Sequence, residues 1–233
     1  MSEQIDRTRG DDLGALAALG DGSRRALYEY VVAAGGWVSR DEAARAVGVE
    51  RGTAAHHLDR LAADGLLEID YRRLTGRQGP GAGRPAKLYR RALRQFEVTL
   101  PPRDYELAGR LLAAVVDRAR AEGVEVDAAL EEVCAAEGRA LAARVRQRAG
   151  RRAPRSAILG ALEEIGYEPV TRDDGTVVLR NCPFHDLARR HTELVCGMNL
   201  GLLGAAVAEL EPGLDARLEP GPDHCCVRLR PRR

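Results

Sequence analysis

The chain has 233 residues, 45% of them hydrophobic and 30% charged, with a net charge of +1. That is enough for two small folded domains with cores of their own and a soluble surface. The N-terminus lacks a basic start followed by an apolar run, and no stretch approaches the roughly 18 apolar residues needed to cross a bilayer. The expectation is a cytoplasmic protein with no membrane partner, where structural disulfides are rare and clustered cysteines favour metal or redox chemistry. Aromatics are scarce at 4%, and Lys87 is the only lysine. Alanine and leucine therefore supply most of the core, which favours packed helices. Arginine supplies nearly all the positive charge, as a planar fork suited to phosphate and guanine edges.

Residues 1–10 read as a frayed polar arm. Asp11 to Leu19 and Asp21 to Ala34 read as two helices separated by Gly20, the second with Leu27, Val31 and Ala34 on one face. Trp37-Val38 begins a short strand. Ser39 with Glu42 forms a capping box that opens a third helix through Ala46. Gly48 turns the chain into a fourth helix, from about Arg51 to Ala63. Leu66–Leu74 and Lys87–Ala92 read as strands flanking a glycine-rich tip. Between Tyr71 and Gln95 lie eight cations and no acid, a composition suited to a flexible, polyanion-binding loop.

Residues 95–102 read as a linker. Tyr105–Ala121 is a helix apolar around most of its girth (Leu107, Leu111, Leu112, Val115, Val116), so it requires burial by another element or subunit. Helices continue over Val126–Gln147 and Ser156–Ile165. Tyr167–Val170 and Thr176–Leu179 flank Asp173-Asp174-Gly175, a hairpin signal. One long helix follows from about Asp186 to Leu210, and then strands at Ala216–Leu218 and Cys225–Leu229.

On the fourth helix, Ala54, Leu58 and Leu61 share a packing face. Thr53, His56 and Arg60 fall within roughly 60° of one another on the opposite face, at about 100° per residue. That stripe suits a major groove, with Arg60 reaching guanine, Thr53 a phosphate or base edge, and Arg51 a phosphate at the helix start. His57 lies on the flank, as a backbone contact or a packing residue. Arg84 in Gly83-Arg84-Pro85 suits insertion into a narrow minor groove, with Arg77 and Lys87 as further cationic contacts.

The segments Leu19–Leu27, Thr53–Leu61, Gly65–Leu67 and Gly83–Tyr89 together resemble the winged-helix domain of ArsR-like bacterial transcriptional regulators. The resemblance covers roughly residues 11–92. It implies a double-stranded DNA operator as partner and a homodimer matched to a palindromic site. One departure is Glu50, where such proteins usually carry a serine-like cap before the recognition helix.

Four of the five cysteines, and every histidine outside the fourth helix, lie in the last quarter of the chain. Thiolate and imidazole bind soft or borderline metals. The overall architecture is similar to that of SufR-like regulators of iron–sulfur assembly, on Asn181-Cys182-Pro183-Phe184, Cys196 and Cys225. That likeness implies a cysteine-ligated iron–sulfur cluster, such as one of the four-iron, four-sulfur type, with zinc as the other occupant. Cys182, Cys196 and Cys225 are the expected ligands, with His185 or His224 for the fourth place. His191 and Cys196, five apart and about 140° around a helix, are poor partners for one ion. If Cys225–Arg230 is a strand, Cys225 faces inward and Cys226 outward, beside arginines that lower its thiol pKa. Cys134, between Val133 and Ala135 on a helix, reads as a space-filling core residue.

The expected class is α+β. Its parts are a disordered arm (1–10), a winged helix-turn-helix (11–94), linker and dimerisation helices (95–150) and a Cys/His-rich α/β sensor domain (151–233). Other readings remain open: a thiol redox switch, inert packing around a small organic ligand, or a metal- or thiol-dependent enzyme. Against an enzyme stand the missing His-Glu-x-x-His, Cys-x-x-Cys and phosphate-binding glycine loop.

Overall fold

A computed structural model describes residues 9–72, 85–221 and 224–232. Among the described residues the fold is mixed helix and sheet, 57% helical with two small antiparallel sheets, as an α+β class requires, and the chain divides into two units between Val98 and Thr99.

The first unit contains α1 (Arg9–Ala18), α2 (Gly22–Ala34), β1 (Val38–Ser39), α3 (Arg40–Val47), α4 (Arg51–Ala63), β2 (Leu67–Arg72) and β3 (Ala86–Arg91). Local chemistry sets the helix ends. Asp21 caps α2 by accepting the Arg24 amide at 2.8 Å, and the Ser39 hydroxyl caps α3 by accepting the Glu42 amide at 3.2 Å. The α3 helix stops at Gly48, whose φ of 75° disfavours any side chain. Glu50 precedes α4 without making a side-chain cap bond, as expected of a weakly capping glutamate. The apolar faces of the helices and sheet meet in one core that includes Leu27, Val31, Ala54, Leu58, Leu61, Leu67 and Tyr89. The sheet runs β1-β3-β2, with Leu67 opposite Arg91 and Arg72 opposite Ala86. Residues 1–8 of the arm expected over 1–10, and the hairpin tip with Arg77 and Arg84, lie outside the described residues, and α1 takes up the arm's last two residues from Arg9 onward.

The second unit contains α5 (Tyr105–Glu122), α6 (Val126–Ala149), α7 (Arg155–Ile165), β4 (Pro169–Thr171), β5 (Val177–Leu179), α8 (His185–Arg190), α9 (Thr192–Leu210), β6 (Leu214–Leu218) and β7 (Val227–Pro231). Its sheet has the order β4-β5-β7-β6. In β7, Val227 and Leu229 are buried while Arg228 and Arg230 face outward to Glu219. The expected division at residue 150 has no counterpart in the packing. Leu107, Leu111 and Val115 of α5 share one core with Leu130 of α6, Val177 of β5 and Leu203 of α9. Leu111, expected at a dimer seam, is 4% exposed within that core. The apolar girth of α5 is met largely by α6.

The expected single helix over 186–210 is two helices, broken at His191, whose φ of −134° and ψ of 59° are not helical. The Thr192 hydroxyl turns back to the Ala188 carbonyl at 2.8 Å, a bond that competes with the regular ladder. The break lets α8 lie at the surface while α9 enters the core. By length and composition alone α9 is apolar enough to cross a membrane. That corrects the expectation that no stretch approached this limit, although a core helix passes the same test.

In the second unit α6 and α9 approach each other closely at Gly138 and Gly201. A Cβ on Gly138 would stand 2.2 Å from the Leu202 carbonyl oxygen and 2.9 Å from the Ala205 methyl. One turn earlier, Cys134 fills the space over Gly201, with its Cβ 3.2 Å from where a side chain there would start. Cys134 is fully buried, and burial pushes its thiol up to about 11. Gly138→Ala is expected to destabilise the unit by about 1–3 kcal/mol, because backbone must move to admit the methyl. Gly160→Ala in α7, where a Cβ meets nothing within 4 Å, should instead stabilise by up to about 1 kcal/mol. Urea denaturation of the two variants checks the opposite signs.

Candidate nucleic-acid face and thiol site

Packing of Ala54, Leu58 and Leu61 inward turns Arg51, Thr53, His56 and Arg60 of α4 to the exposed side. Arg51 bonds Asp41 at 2.5 Å and Arg60 bonds Asp64 at 2.9 Å, with arginine side chains 63% and 59% exposed. The Arg51–Asp41 pair is exposed on both sides, and such pairs contribute about 0–1 kcal/mol, so a phosphate can displace its carboxylate, whereas Asp64 beside Arg60 is 15% exposed. Lys87 is more committed. Its ammonium bonds Asp59 at 2.5 Å, and the Tyr89 hydroxyl donates to the same oxygen at 2.6 Å. Burial alone would raise the Asp59 carboxyl, but those two bonds hold it below its ordinary value. Asp59 thereby ties α4 to β3. His57 is turned towards α2, 15% exposed and 3.9 Å from Asp21, a packing position on the flank of the polar face.

The thiol site is assembled by strand pairing. Antiparallel β5 and β7 place the end of one beside the start of the other, with Val177 opposite Leu229. Cys182 lies three residues beyond β5, and Cys225 lies just before β7 with its amide on the Leu179 carbonyl at 2.8 Å. The two sulfurs share a hydrogen bond. Cys196, in the second turn of α9, shares another with Cys226. The pairs also act on each other's charge, Cys182 on Cys196 and Cys226 on Cys225. The expectation that Cys226 faces away is therefore corrected. The strand begins at Val227 rather than Cys225, so alternation does not govern residues 225–226.

Each thiol is tuned differently. The Cys225 hydrogen bond lowers Cys182 against its own burial, helped by the Phe184 amide and the Arg103 charge. Cys225 is raised by its bond to Cys182 and by burial. Burial and the Cys226 contact push Cys196 up to about 12. Beside them, the buried Asn199 donates its amide to Cys225 Sγ at 3.1 Å and accepts from the Tyr167 hydroxyl. Asn181 fixes the Cys182 loop. Its amide donates to the Pro102 and Gly166 carbonyls at 2.7 and 2.6 Å, and its oxygen accepts from Arg103 at 2.5 Å.

The expected histidine ligands are placed otherwise. His224 Nδ1 faces the Cys225 carbonyl at 2.6 Å and must donate to it, which leaves Nε2 to accept from Arg228 at 2.6 Å. Both ring nitrogens are thus engaged. His185 is exposed at the start of α8, and His191 is exposed at the helix break. Asn199, Tyr167 and Cys226 were not anticipated in the site. A lone amide inside the apolar run of α9 was the signal for the first, since buried polar groups need partners.

Among the described residues no group of three or more His, Cys, Asp or Glu is set at metal-holding geometry. The four sulfurs fall into two neighbouring pairs, Cys182 with Cys225 and Cys196 with Cys226. An all-sulfur set on three chain segments, with an amide N–H aimed at one sulfur, suits a thiophilic ion or an iron–sulfur cluster once the protons leave. In chelator-treated, reduced protein near neutral pH, iodoacetamide should label half-buried Cys182 before buried Cys134, Cys196 and Cys225. Mass spectrometry of tryptic peptides over time gives the order, and early labelling of Cys225 would contradict the site as described.

Comparison with protein-family models, curated proteins and solved structures finds no match to this chain.

Proposed function

We propose that the chain is a DNA-binding transcriptional regulator, with a winged helix-turn-helix reader in its first unit and a thiol-based sensor in its second. The observation that carries this reading is the exposed face of α4. Thr53, His56 and Arg60 are aligned there on a rigid helix, backed by α2 and α3 and followed directly by the β2–β3 hairpin. A helix so presented fits a major groove, and the arginine-rich hairpin fits the flanking backbone and minor groove. Arg51 and Arg60 exchange weak carboxylate partners for DNA, while Lys87 is held by Asp59 and contributes less.

In the sensor, Cys182, Cys196, Cys225 and Cys226 would hold an iron–sulfur cluster or zinc, with Cys226 taking the place expected of His185 or His224. Bound there, such a group supplies a cross-link between three chain segments that oxidation or metal loss removes. Arg103 connects the site to the chain leading out of the first unit. It bonds Asn181 Oδ1 and the Cys182 carbonyl, the latter at 3.3 Å. Movement of the Cys182 loop therefore pulls on residues 99–104. The regulator acts as a homodimer, since one winged helix alone buries little surface on DNA.

The DNA reading is tested by selecting bound duplexes from a random pool and titrating them by fluorescence anisotropy. Arg60→Ala should weaken specific binding by about 1–3 kcal/mol and relax one position per half-site. Affinity should fall by roughly 0.9 log unit per log unit of salt for each phosphate contact. A salt-insensitive complex would remove the case for the arginines.

The dimer is tested on the outer side of α5. Leu111→Asp should unfold the second unit, because the charge enters its core. Val116→Asp, at a position 45% exposed, should leave the unit folded and give monomers by sedimentation. Intact dimers from Val116→Asp place the seam elsewhere.

A further inference from the structure

Asn199 stands out in α9. It is 1% exposed and surrounded in sequence by the buried apolar residues Val195, Met198, Leu202 and Leu203. Packing alone gives no reason for an amide there, since leucine has similar volume and no polar atoms to satisfy. The amide has two partners, both buried. Its oxygen accepts from the Tyr167 hydroxyl, and its nitrogen donates to Cys225 Sγ at 3.1 Å. Tyr167 and Cys225 are 1% and 2% exposed, so no water competes for either bond.

The direction of the chain of bonds matters. A sulfur bound to metal has no proton, so it can accept a hydrogen bond but not give one. The amide must then present N–H to the sulfur and oxygen to the hydroxyl, and the Tyr167 hydroxyl supports that orientation by donating to Asn199 Oδ1. Asn199 also lies three residues after Cys196, on the same side of α9. One helix face thus carries a thiol of the site and the donor to another thiol of the site.

We propose that Asn199 is a positioning residue of the thiol site, held by Tyr167 so that its amide orients Cys225 and stabilises its sulfur as a ligand. The proposal rests on the reading of the four cysteines as a metal or cluster site. Hydrogen bonds to a ligating sulfur draw electron density from it and favour the more reduced, more negative state of a cluster. The pair Asn199–Tyr167 therefore sets both how tightly the site holds metal and the potential at which a cluster there changes state.

The test compares the full-length wild-type chain with N199L/Y167F and with Y167F. The double variant removes both members of the buried polar pair, so neither is left orphaned. Cobalt(II) is titrated anaerobically and followed by its sulfur-to-metal charge-transfer absorption, with competition by a chelator. A second sample is reconstituted with iron and sulfide and its midpoint potential is measured. Circular dichroism and thermal melting report the fold. Wild type should take up cobalt with thiolate absorption. Folded N199L/Y167F should bind it about 10–100-fold more weakly, with a shifted charge-transfer band and a more negative cluster potential. Y167F, which keeps the amide and loses only its anchor, should show a smaller loss in the same direction. Unchanged affinity and potential in the folded double variant overturn the role of Asn199 while leaving the metal reading intact. If the double variant is unfolded, Y167F decides, and unchanged cobalt affinity there overturns the proposal. Wild-type protein that takes up neither cobalt nor iron and sulfide overturns the metal reading, and the proposal with it.

Discussion

In the second unit, α6 and α9 approach until the backbone of one meets the other at Gly138. No side chain can occupy that point, because the Leu202 carbonyl oxygen already stands where a Cβ would project. Close contact is what allows α9, apolar over most of its surface, to be covered by α6 on one side and by the sheet on another. It also fixes the depth at which Cys196 and Asn199 enter the core. A wider separation would move both away from Cys225 and Cys226. Cys134 belongs to this contact, filling the gap over Gly201 and taking no part in the thiol site.

The remaining half of the site depends on sheet topology. Cys182 and Cys225 are distant in sequence, and they meet because β5 and β7 are antiparallel neighbours. A thiol after the first strand and a thiol before the second fall at the same end of the sheet. Polar groups then hold the loop ends. Asn181 has three hydrogen bonds in a largely buried position, and Arg103 bridges it to the Cys182 carbonyl. Buried polar groups satisfied this fully rigidify the segment they join. Four thiols are thereby held by a helix, two loop ends and a small network, which is the precision a ligand site requires.

In the first unit the polar face of α4 is maintained from behind. Leu58 and Leu61 are fully buried, and Asp59 between them reaches the other way to Lys87 and Tyr89 on β3. The helix and the hairpin are therefore locked together by one carboxylate. Arg51 and Arg60 are themselves 63% and 59% exposed, so their charge remains available, although Asp64 beside Arg60 is 15% exposed. The difference between a committed cation and an available one is set by burial of the cation itself, since Lys87 is 24% exposed while its partner Asp59 is 51% exposed.

Much of the first unit was legible in the sequence, because its signals are local. Ser39 and Glu42 mark a helix start, Gly48 marks a stop, and the 3.6-residue period separates Leu58 and Leu61 from Thr53, His56 and Arg60. The clustering of cysteines in the last quarter was also visible, as was Cys134 as a packing residue. What failed were inferences that extended a local period past its true boundary. Alternation was carried back to Cys225, two residues before the strand begins, and a helix was carried through His191, where Thr192 folds back on the ladder. The partners of Cys225 were not legible at all. Tyr167, Asn199 and Cys182 come from a turn, a helix and a loop that converge only when α6 and α9 close at Gly138 and β5 pairs with β7. The sequence by itself determined the helix caps, the amphipathic faces and the supply of thiols and arginines, since these depend on residues a few positions apart. Only the tertiary structure decided which thiols meet and what holds them, because Cys182 and Asn199 reach Cys225 from 43 and 26 residues away through packing.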